Sequence, residues 1–591
     1  MYKITAKTCS TPDDMTMWVT VLYQCLLLVS AQDDPDLVVT TADGPVLGGY
    51  KKSLIGTSFK SFQGIPFAAP PVGSLRFADP QPVEPWEEIL DVSADIDIQC
   101  TQYGFMSDGG TPEVSGSEDC LYLNVYVPEN AGMEEKMPVM MWIFGGYFQA
   151  GGNQWWAYGA GPFMDRNVII VEPNHRLGSF GFTSLGIPEA AGNQGLKDLV
   201  AALKWINVNI DSFGGDPDSV TIFGESSGSW ACSYLCMSPH ASGLFHRAIL
   251  QSGSLFNPYW EWQTEEDAVG LSTFMSTRFN CTDLTPYGQL ECLQNLDKEI
   301  LADSINWGTE ETMNIQKILR PTGIVEGDFL PDIPTKLMES GEYNHVDLML
   351  GMTSQEGLLQ TVQFILSPDL YFYAKMLWDH LGPMFLFGRV GSYDTWPQDH
   401  EMTEVFTDFY LGGKENLNSA HFDNLTNMIT DAYIWYGGHK QTEWAAMNGD
   451  NVYQYMFKYK GPYGYLDAYG VDSTKYGVAH SDELWYFWKP YFNKYAIDMG
   501  EEDEAVSKNV LDMWVNFGYY GDPTPPGSEV PVQWGQVSPG NHQYLIIDKT
   551  LEMALEDDYL ARMAIWDETY KFPEGNTIPP QPLGFENILE N

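Results

Sequence analysis

The sequence predicts an α/β protein with a large, mostly parallel central sheet that helices cover on both faces. Short apolar or β-branched runs recur along the chain, and the first five are followed directly by turn residues. Residues 195–209, between two of the runs, have the apolar spacing of a helix with one buried face. Continuous apolar strands that alternate with helices indicate parallel strands buried on both sides. The runs are residues 139–144, 168–171, 220–223, 248–250, 347–350, 452–457 and 544–547.

Composition favours one large folded domain and argues against several classes of partner. Of the 591 residues, 44% are hydrophobic and 14% aromatic, so the chain can bury a large core and is not disordered. No Pro- or Ser-rich linker and no repeat divides it, and we expect a single domain over residues 32–591. The 30 basic and 80 acidic residues give a net charge of −50. Such a charge repels nucleic acid and anionic membrane surfaces.

The N-terminus carries an apolar run at residues 17–29, which ends in Val29-Ser30-Ala31. The small residues at the end of the run suit signal peptidase, and the run is shorter than the roughly 20 residues that span a bilayer. We therefore predict a signal peptide over residues 1–31 and a secreted, extracellular protein without a transmembrane segment. Two alternatives stay open: translation from Met15 or Met17, which would make the preceding residues an upstream extension, and a buried helix of the fold.

Six cysteines lie beyond this leader, and they fall into two kinds. Four form two sequence-close pairs, at 100/120 and 281/292, which bracket loop-like stretches as disulfides of oxidising compartments do. Cys232 and Cys236 are four residues apart on a predicted helix, which favours buried free thiols over a disulfide or a metal site. We expect no metal and no cofactor. The sequons at Asn280 and Asn424 are candidate glycosylation sites.

Residues 224–228 match the pattern G-x-S-x-G, with Ser226 at its centre. A β-branched run precedes the match and a helical stretch from Ser227 follows it, which is the strand–turn–helix context of a nucleophile elbow. The two glycines allow the backbone to turn sharply and expose the serine hydroxyl. An ordinary Gly/Ser turn is the alternative, but it does not require this context.

A serine hydroxyl needs a base to take its proton, and in this architecture the acid and then the histidine follow the serine along the chain. His480 lies in a Gly-bearing loop, and Glu356 lies just beyond the run 347–350. Both fit the expected order. Spacing alone does not choose among 10 histidines and 80 acidic residues, so a loop histidine and a solvated carboxylate remain alternatives at this point.

Further motifs decide between these alternatives by resemblance. From about residue 39 to 555 the chain resembles the type-B carboxylesterase/cholinesterase family of α/β-hydrolases. The acidic motif at residues 117–125 is a highly specific signature of that family. The motifs that carry the resemblance are residues 62–68, 70–73, 75–77, 117–125, 213–217, 245–249 and 251–253.

The resemblance implies acyl transfer on a small-molecule ester. It assigns Ser226 as the nucleophile, His480 as the base and Glu356 as the acid that stabilises the imidazolium. Glu225 and Ser252 are expected beside this triad. The resemblance also implies the disulfides Cys100–Cys120 and Cys281–Cys292; the third disulfide of cholinesterases has no cysteines here.

The resemblance places the oxyanion hole at the backbone N–H groups of Gly146, Tyr147 and Ser227. Here the chain departs from the family, which usually has three glycines where this sequence reads Gly145-Gly146-Tyr147. If this position needs a positive φ, a tyrosine is strained there. Three alternatives follow: a ring that narrows the acyl pocket, a harmless ring that points outward, and an impaired oxyanion hole.

The substrate signals favour apolar, uncharged esters over choline esters. No tryptophan lies between Cys100 and Cys120, and Leu358-Leu359 stand where the family usually has an aromatic pair. A cation–π site for a quaternary ammonium is therefore doubtful. Tryptophans 155, 156, 485 and 488 either line an aromatic gorge or simply pack. The leading prediction is a secreted serine carboxylesterase; the alternative is a catalytically weak or silent relative that acts in ligand binding, scavenging or adhesion.

Overall fold

An eleven-stranded sheet forms the centre of the computed structural model, which describes residues 35–104, 113–132, 135–259, 262–281, 285–302, 322–388, 397–488, 499–555 and 558–572. The predicted signal peptide, residues 1–31, lies outside these ranges. In chain order the strands are β1 Gly49–Lys52, β2 Ser58–Pro66, β3 Tyr122–Pro128, β4 Met137–Ile143, β5 Ile169–Pro173, β6 Gly215–Glu225, β7 Arg247–Gln251, β8 Asp347–Thr353, β9 Val452–Phe457, β10 Tyr544–Ile547 and β11 Leu551–Ala554.

The sheet is parallel in its middle and antiparallel at both edges. Its spatial order is β1-β2-β3-β5-β4-β6-β7-β8-β9-β10-β11. Every neighbouring pair from β5 through β10 is parallel. The pairs β1/β2, β2/β3, β3/β5 and β10/β11 are antiparallel. The prediction of a mostly parallel sheet is confirmed, and each of the seven predicted runs overlaps one of its strands; the runs 139–144 and 168–171 each extend one residue beyond theirs.

Hydrophobic clusters fill both faces of the sheet because apolar side chains alternate along buried strands. In β4, Val139 and Met141 enter the first cluster, whereas Met140 and Trp142 enter the second. The helix Gln194–Asn209 packs into the first cluster through side chains such as Leu199 and Leu203. The helix Glu501–Tyr520 covers the second through residues that include Trp514 and Phe517. Helices on both faces were predicted and are found.

Longer helices cover the sheet, and shorter helices and strands build the loops. The α-helices of nine or more residues are Gln194–Asn209, Ser227–Met237, Glu265–Arg278, Pro286–Gln294, Leu358–Leu366, Leu370–Phe387, Pro397–Leu411, Phe422–Thr430, Tyr436–Met447, Glu501–Tyr520 and Asp558–Thr569; a π-helix, Asp431–Trp435, joins two of them. Shorter α-helices are Trp155–Tyr158, Gly161–Met164, Gly178–Phe182, Lys298–Ala302 and Pro334–Ser340. Strands outside the central sheet are Val38–Thr40, Pro45–Leu47, Leu90–Asp91, Gln102–Tyr103, Val114–Ser115, Ser184–Ile187, Ala190–Ala191, Gln263–Thr264 and Ile324–Val325. Short 3₁₀ helices are Pro35–Leu37, Gly73–Leu75, Ile210–Phe213, Pro239–Ala241, Lys414–Asn416, Ser419–His421, Tyr465–Tyr469, Ser473–Lys475 and Asp482–Tyr486.

Within the described ranges, no helix is both long enough and apolar enough to cross a membrane.

A buried ion pair joins the chain after β5 to the helix Gln194–Asn209. The guanidinium of Arg176 donates to both carboxylate oxygens of Asp198, at 2.8 Å from Nε and 2.7 Å from Nη2. Another nitrogen of the same guanidinium donates to the Ala78 carbonyl at 2.7 Å. The two side chains are 3% and 0% exposed. Removing one partner would leave the other charge buried and unpaired, which is the costly case for an ion pair.

We therefore expect Arg176→Met to lower the free energy of unfolding by about 3–5 kcal/mol, because the Asp198 carboxylate loses its partner in a dry site. The melting temperature measured by calorimetry checks this. Lys336→Met is the matched control, since Lys336 pairs with Asp332 at 3.4 Å with side chains 56% and 52% exposed. Such a pair contributes about 0–1 kcal/mol. Equal losses in both variants would contradict the assignment.

Candidate active site

The carboxyl ends of neighbouring strands meet at one edge of the sheet. Ile143 of β4 pairs with Gly224 of β6, and the last residue of β6, Glu225, pairs with Gln251 of β7. Gln251 in turn pairs with Gly351 of β8. Because these strands are parallel and in register, the turns that follow them lie side by side, where ligands of such sheets bind. These turns carry Gly145, Gly146 and Tyr147, then Ser226, then Ser252, and finally Glu356.

Ser226 is the sharp turn between β6 and the helix Ser227–Met237. Its backbone has φ 56° and ψ −124°, a strained conformation for a residue with a side chain. A Cβ on Gly228 would lie 2.0 Å from the Ile143 carbonyl oxygen, and a Cβ on Gly224 would lie 2.6 Å from the Gly228 carbonyl carbon. Only glycine fits at either position. The strand–turn–helix context predicted from the sequence is present, with Ser226 4% exposed.

Glu356 and His480 form a short, buried contact. Nδ1 of His480 lies 2.6 Å from Oε2 of Glu356. The other carboxylate oxygen, Oε1, accepts hydrogen bonds from the Thr353 backbone N–H and from the Ser252 hydroxyl, both at 2.7 Å. Glu356 is 0% and His480 4% exposed. The carboxylate is thus fixed from both sides, so it can orient the imidazole and stabilise its protonated form.

Two more carboxylates lie beside the imidazole. Oε1 of Glu225 lies 3.3 Å from Nε2 of His480 and accepts a hydrogen bond from the Ser481 hydroxyl at 2.6 Å. Oε1 of Glu483 accepts a weaker one from the Gln251 amide at 3.4 Å. Nε2 of His480 itself has no hydrogen-bond partner among the described residues. The Glu225 carboxylate is close enough to this nitrogen to favour a proton on it.

Burial and charge act against each other at the imidazole. Burial alone would lower the pKa of His480, but the carboxylates of Glu225 and Glu356 outweigh burial and raise this pKa to about 9. Burial raises the pKa of Glu225, and the imidazolium and the Ser481 hydroxyl offset part of that rise. Burial, with Glu225 and Glu356 nearby, raises the pKa of Glu483 well above its ordinary value. Burial thus disfavours the charged form of both carboxylates.

The loop after β4 runs directly past the Ser226 turn. A Cβ on Gly145 would lie 2.8 Å from the Glu225 carbonyl oxygen and 3.0 Å from Cβ of Ser226. Gly146 has φ 124°, and a Cβ there would lie 2.0 Å from the Ala150 carbonyl oxygen. Ser227 begins the helix on the other side of Ser226, and the N–H groups at a helix start carry a partial positive charge.

Tyr147 adopts the left-handed backbone conformation that the sequence analysis considered. Its φ is 61°, a region that costs a residue with a Cβ roughly 1–2 kcal/mol. The Tyr147 hydroxyl accepts a hydrogen bond from the Tyr433 hydroxyl at 2.9 Å. The ring of Tyr433 packs edge-on against the imidazole of His480, with centroids 5.9 Å apart. The Tyr147 side chain therefore extends toward Tyr433, which contacts His480, and does not simply point outward.

The tryptophans that could have lined a gorge mostly pack in the core. Trp485 and Trp488 are buried in the hydrophobic cluster on the second face, and Trp155 packs against that cluster. Trp156 is 44% exposed. The packing interpretation therefore holds for three of the four.

Sequence reasoning missed Tyr433, which no motif marks, and did not single out Glu483, although the step from His480 to Leu484 contains it. Tyr433 lies in the π-helix Asp431–Trp435. Only the three-dimensional fold brings it to the imidazole.

The cysteines are arranged as predicted. Disulfides join Cys100 to Cys120 and Cys281 to Cys292. Cys232 and Cys236 are free and buried. Burial raises the pKa of the Cys232 thiol well above its ordinary value and that of Cys236 to about 12, so neither is a reactive thiolate.

The two sequon asparagines are both exposed, in different settings. Asn280 follows the helix Glu265–Arg278, and its partner Thr282 lies outside the described residues. Asn424 lies within the helix Phe422–Thr430, where its side-chain amide donates to the Tyr410 carbonyl at 2.7 Å. Glycosylation at either position stays a prediction.

In the part of the chain that the structure describes, no group of three His, Cys, Asp or Glu side chains is placed to bind a metal ion.

Comparison with known proteins supplies relatives over most of the chain. The model of the carboxylesterase family matches residues 35–566. A juvenile hormone esterase of Tribolium castaneum is 33% identical over 503 residues, which cover 83% of this chain and 84% of that protein. A carboxylic ester hydrolase of Bombus ignitus is 33% identical over 534 residues, covering 88% and 91%. A liver carboxylesterase of Sus scrofa is 32% identical over 539 residues, covering 86% and 90%.

The charge balance at the imidazole predicts a specific pH dependence. Glu225→Gln removes a charged neighbour, so the pKa of His480 should fall by about one unit or more. The neutral imidazole then persists to lower pH than in the parent. The downfield proton resonance of the His480–Glu356 hydrogen bond, followed by NMR against pH, measures this directly.

Glu483→Gln is the matched control, because Glu483 contributes less than Glu225 to the raised pKa of His480. We expect its effect on the pKa of His480 to be much smaller. Equal shifts in the two variants would show that Glu225 has no special role in charging the imidazole.

Proposed function

The chain belongs to the carboxylesterase family of α/β-hydrolases, and on that premise we propose that it is a secreted serine esterase that cleaves uncharged, apolar carboxylic esters through an acyl-enzyme. The observation that carries this proposal is the 2.6 Å contact of His480 with Glu356, beside the strained Ser226 turn. The two disulfides favour secretion, because such bonds persist in oxidising compartments.

In the proposed reaction Ser226 Oγ attacks the ester carbonyl while Nε2 of His480 takes the hydroxyl proton. Glu356 holds the ring through Nδ1 and stabilises the imidazolium. The proton then passes to the leaving alcohol, which departs and leaves the acyl group on Ser226. Water repeats the cycle with the same base and releases the carboxylic acid. Nε2 of His480 has no hydrogen-bond partner among the described residues, so the proton transfer requires the serine hydroxyl and the imidazole to come within hydrogen-bond reach when substrate binds.

Charge that develops on the carbonyl oxygen would be met by the backbone N–H groups of Gly146, Tyr147 and Ser227. The first two lie on the loop that runs past Ser226, and the third begins the helix behind it. Each donor of this kind is worth about 2.7–4 kcal/mol in the transition state. The positive end of the helix Ser227–Met237 supports the same charge.

The carboxylates around His480 favour the imidazolium that forms in the transition state. The same attraction raises the pKa of His480 to about 9, so most of the enzyme holds a protonated base at neutral pH. Loss of that proton restores the base. Activity should therefore increase as the pH rises through the pKa of His480.

The substrate preference rests on what surrounds the site. Relatives include an esterase named for juvenile hormone and others named for carboxylic esters in general. Leu358, at the start of the helix after the acid, is fully buried in an apolar cluster, and Leu359 packs against the main core. The first disulfide loop lacks a tryptophan that could bind a quaternary ammonium. Leucines in place of the aromatic pair, and the lack of that tryptophan, favour apolar, uncharged esters over choline esters.

The first test is the intact mass after exposure to a fluorophosphonate. The parent should gain a single adduct, because only an activated serine reacts with this probe, and Ser226→Ala should gain none. No adduct on folded parent protein would overturn the esterase proposal and favour a silent relative that binds ligands. An adduct on both proteins would place the nucleophile elsewhere.

A second prediction concerns Tyr147, whose backbone lies in the oxyanion loop. Its side chain extends to Tyr433, which in turn contacts His480. A side chain there should limit the acyl group to short chains. We expect Tyr147→Gly to raise kcat/KM for p-nitrophenyl octanoate relative to the acetate by about tenfold or more, since each methylene that gains a pocket is worth about 10–200-fold. An unchanged ratio would show that the ring does not border the acyl group.

A further inference from the structure

We propose that Tyr433 is a positioning residue for the oxyanion loop: its hydroxyl anchors the Tyr147 side chain and thereby holds the Tyr147 backbone in its left-handed conformation. The inference deepens the proposed function and rests on it, since the amide of Tyr147 is a proposed oxyanion donor. The direct observation is the hydrogen bond from the Tyr433 hydroxyl to the Tyr147 hydroxyl, at 2.9 Å across 286 residues of sequence.

The loop needs an anchor because three consecutive residues have positive φ and only the first is glycine. The φ values are 124° at Gly146, 61° at Tyr147 and 56° at Phe148. Residues with a Cβ rarely adopt this conformation and hold it only when their surroundings over-determine it. A Tyr147 without support could relax, and its N–H would then turn away from the substrate oxygen.

The residues on either side of Tyr147 make backbone hydrogen bonds. The Gly146 carbonyl accepts hydrogen bonds from the N–H groups of Gln149 at 2.9 Å and Ala150 at 3.0 Å. The Phe148 carbonyl accepts a hydrogen bond from the Gly178 N–H at 2.7 Å. The Phe148 ring is buried and packs against Phe182. The Tyr433 hydroxyl adds a hold on the Tyr147 side chain itself.

Tyr433 is suited to this role because it is buried and closely packed. Its side chain is 0% exposed, and its ring packs edge-on against Tyr259 with centroids 5.0 Å apart. It lies in the π-helix Asp431–Trp435, a form often found at functional sites. The ends of this π-helix are fixed by Trp435, whose indole N–H donates to the Thr353 carbonyl at 3.0 Å, and by Asp431, which lies 3.1 Å from Arg562.

Tyr433 also connects the proposed base with the proposed oxyanion hole. The ring of Tyr433 contacts His480, whereas its hydroxyl contacts the oxyanion loop. One rigid side chain thus touches the residue that supplies the base and the residue that supplies an oxyanion donor.

The experiment introduces Tyr433→Phe into the parent and into Tyr147→Gly. Phenylalanine keeps the ring contacts with His480 and Tyr259 and removes only the hydroxyl. In the parent, kcat for p-nitrophenyl acetate should fall about tenfold with KM within about twofold, since an oxyanion donor acts in the transition state. In Tyr147→Gly the same substitution should change kcat by less than twofold, because glycine adopts positive φ without an anchor.

A structural or electrostatic role would give other results. If Tyr433 acted on the imidazole, Tyr433→Phe would shift the pH dependence of kcat, which we expect to stay unchanged. A loss of equal size in both backgrounds, or no loss in the parent, would overturn the proposal. Tyr147→Phe removes the acceptor from the other side and should reproduce the loss. Tyr469→Phe is the control, since it breaks an exposed pair of tyrosine hydroxyls, Tyr465 with Tyr469, also at 2.9 Å.

The melting temperature provides a second measurement of the same double-mutant cycle. Tyr433→Phe should lower it in the parent and have a smaller effect in Tyr147→Gly. Equal losses would overturn the anchor even if every variant folds. Failure of the proposed function is distinguishable, because the parent itself would then neither hydrolyse esters nor react with a fluorophosphonate, while the melting cycle would still report on the anchor.

Discussion

The site depends on one close approach of backbone to backbone. The Ile143 carbonyl oxygen, at the end of β4, would lie only 2.0 Å from a Cβ added to Gly228. That approach brings the turn at Ser226 against the loop that begins at Gly145. Without it, β6 could not turn into a helix within one residue, and the loop and the serine would not share the same edge of the sheet. The glycines are therefore steric requirements of the site.

A second constraint is the charge that this closeness concentrates. Glu225, Glu356 and Glu483 all lie near a single imidazole, and all are nearly inaccessible to solvent. Burial disfavours the charged forms of Glu225 and Glu483, and it acts against the attraction of the carboxylates for the imidazolium. Burial and the neighbouring carboxylates raise the pKa of Glu483 well above its ordinary value, whereas the charges of Glu225 and Glu356 raise the pKa of the imidazole. Protonation in the cluster is coupled, because the charge of each carboxylate affects the pKa of the shared imidazole.

Features coded by local pattern could be predicted from the sequence. The parallel strands and the helix after Ser226 were found because continuous apolar runs and glycine turns mark them. The antiparallel edge strands, such as β1 with its half-exposed residues, lack that signal. The pairing of His480 with Glu356 came only from resemblance, because spacing cannot choose among many carboxylates. The role of Tyr433 could not be predicted, since nothing in the local sequence distinguishes it from the other tyrosines.

Tyr147 shows why a departure from a family motif cannot be interpreted from the motif alone. In isolation, tyrosine in place of glycine is a loss, because the backbone needs a conformation that a side chain disfavours. In the folded chain the same side chain supplies a hydroxyl that Tyr433 can hold, and glycine offers nothing to hold. Tyrosine in place of glycine thus loses the backbone freedom of glycine and gains a side-chain hydrogen bond with Tyr433. Whether that exchange preserves the oxyanion donor depends on a partner 286 residues away, so it follows from tertiary packing and not from the sequence around position 147.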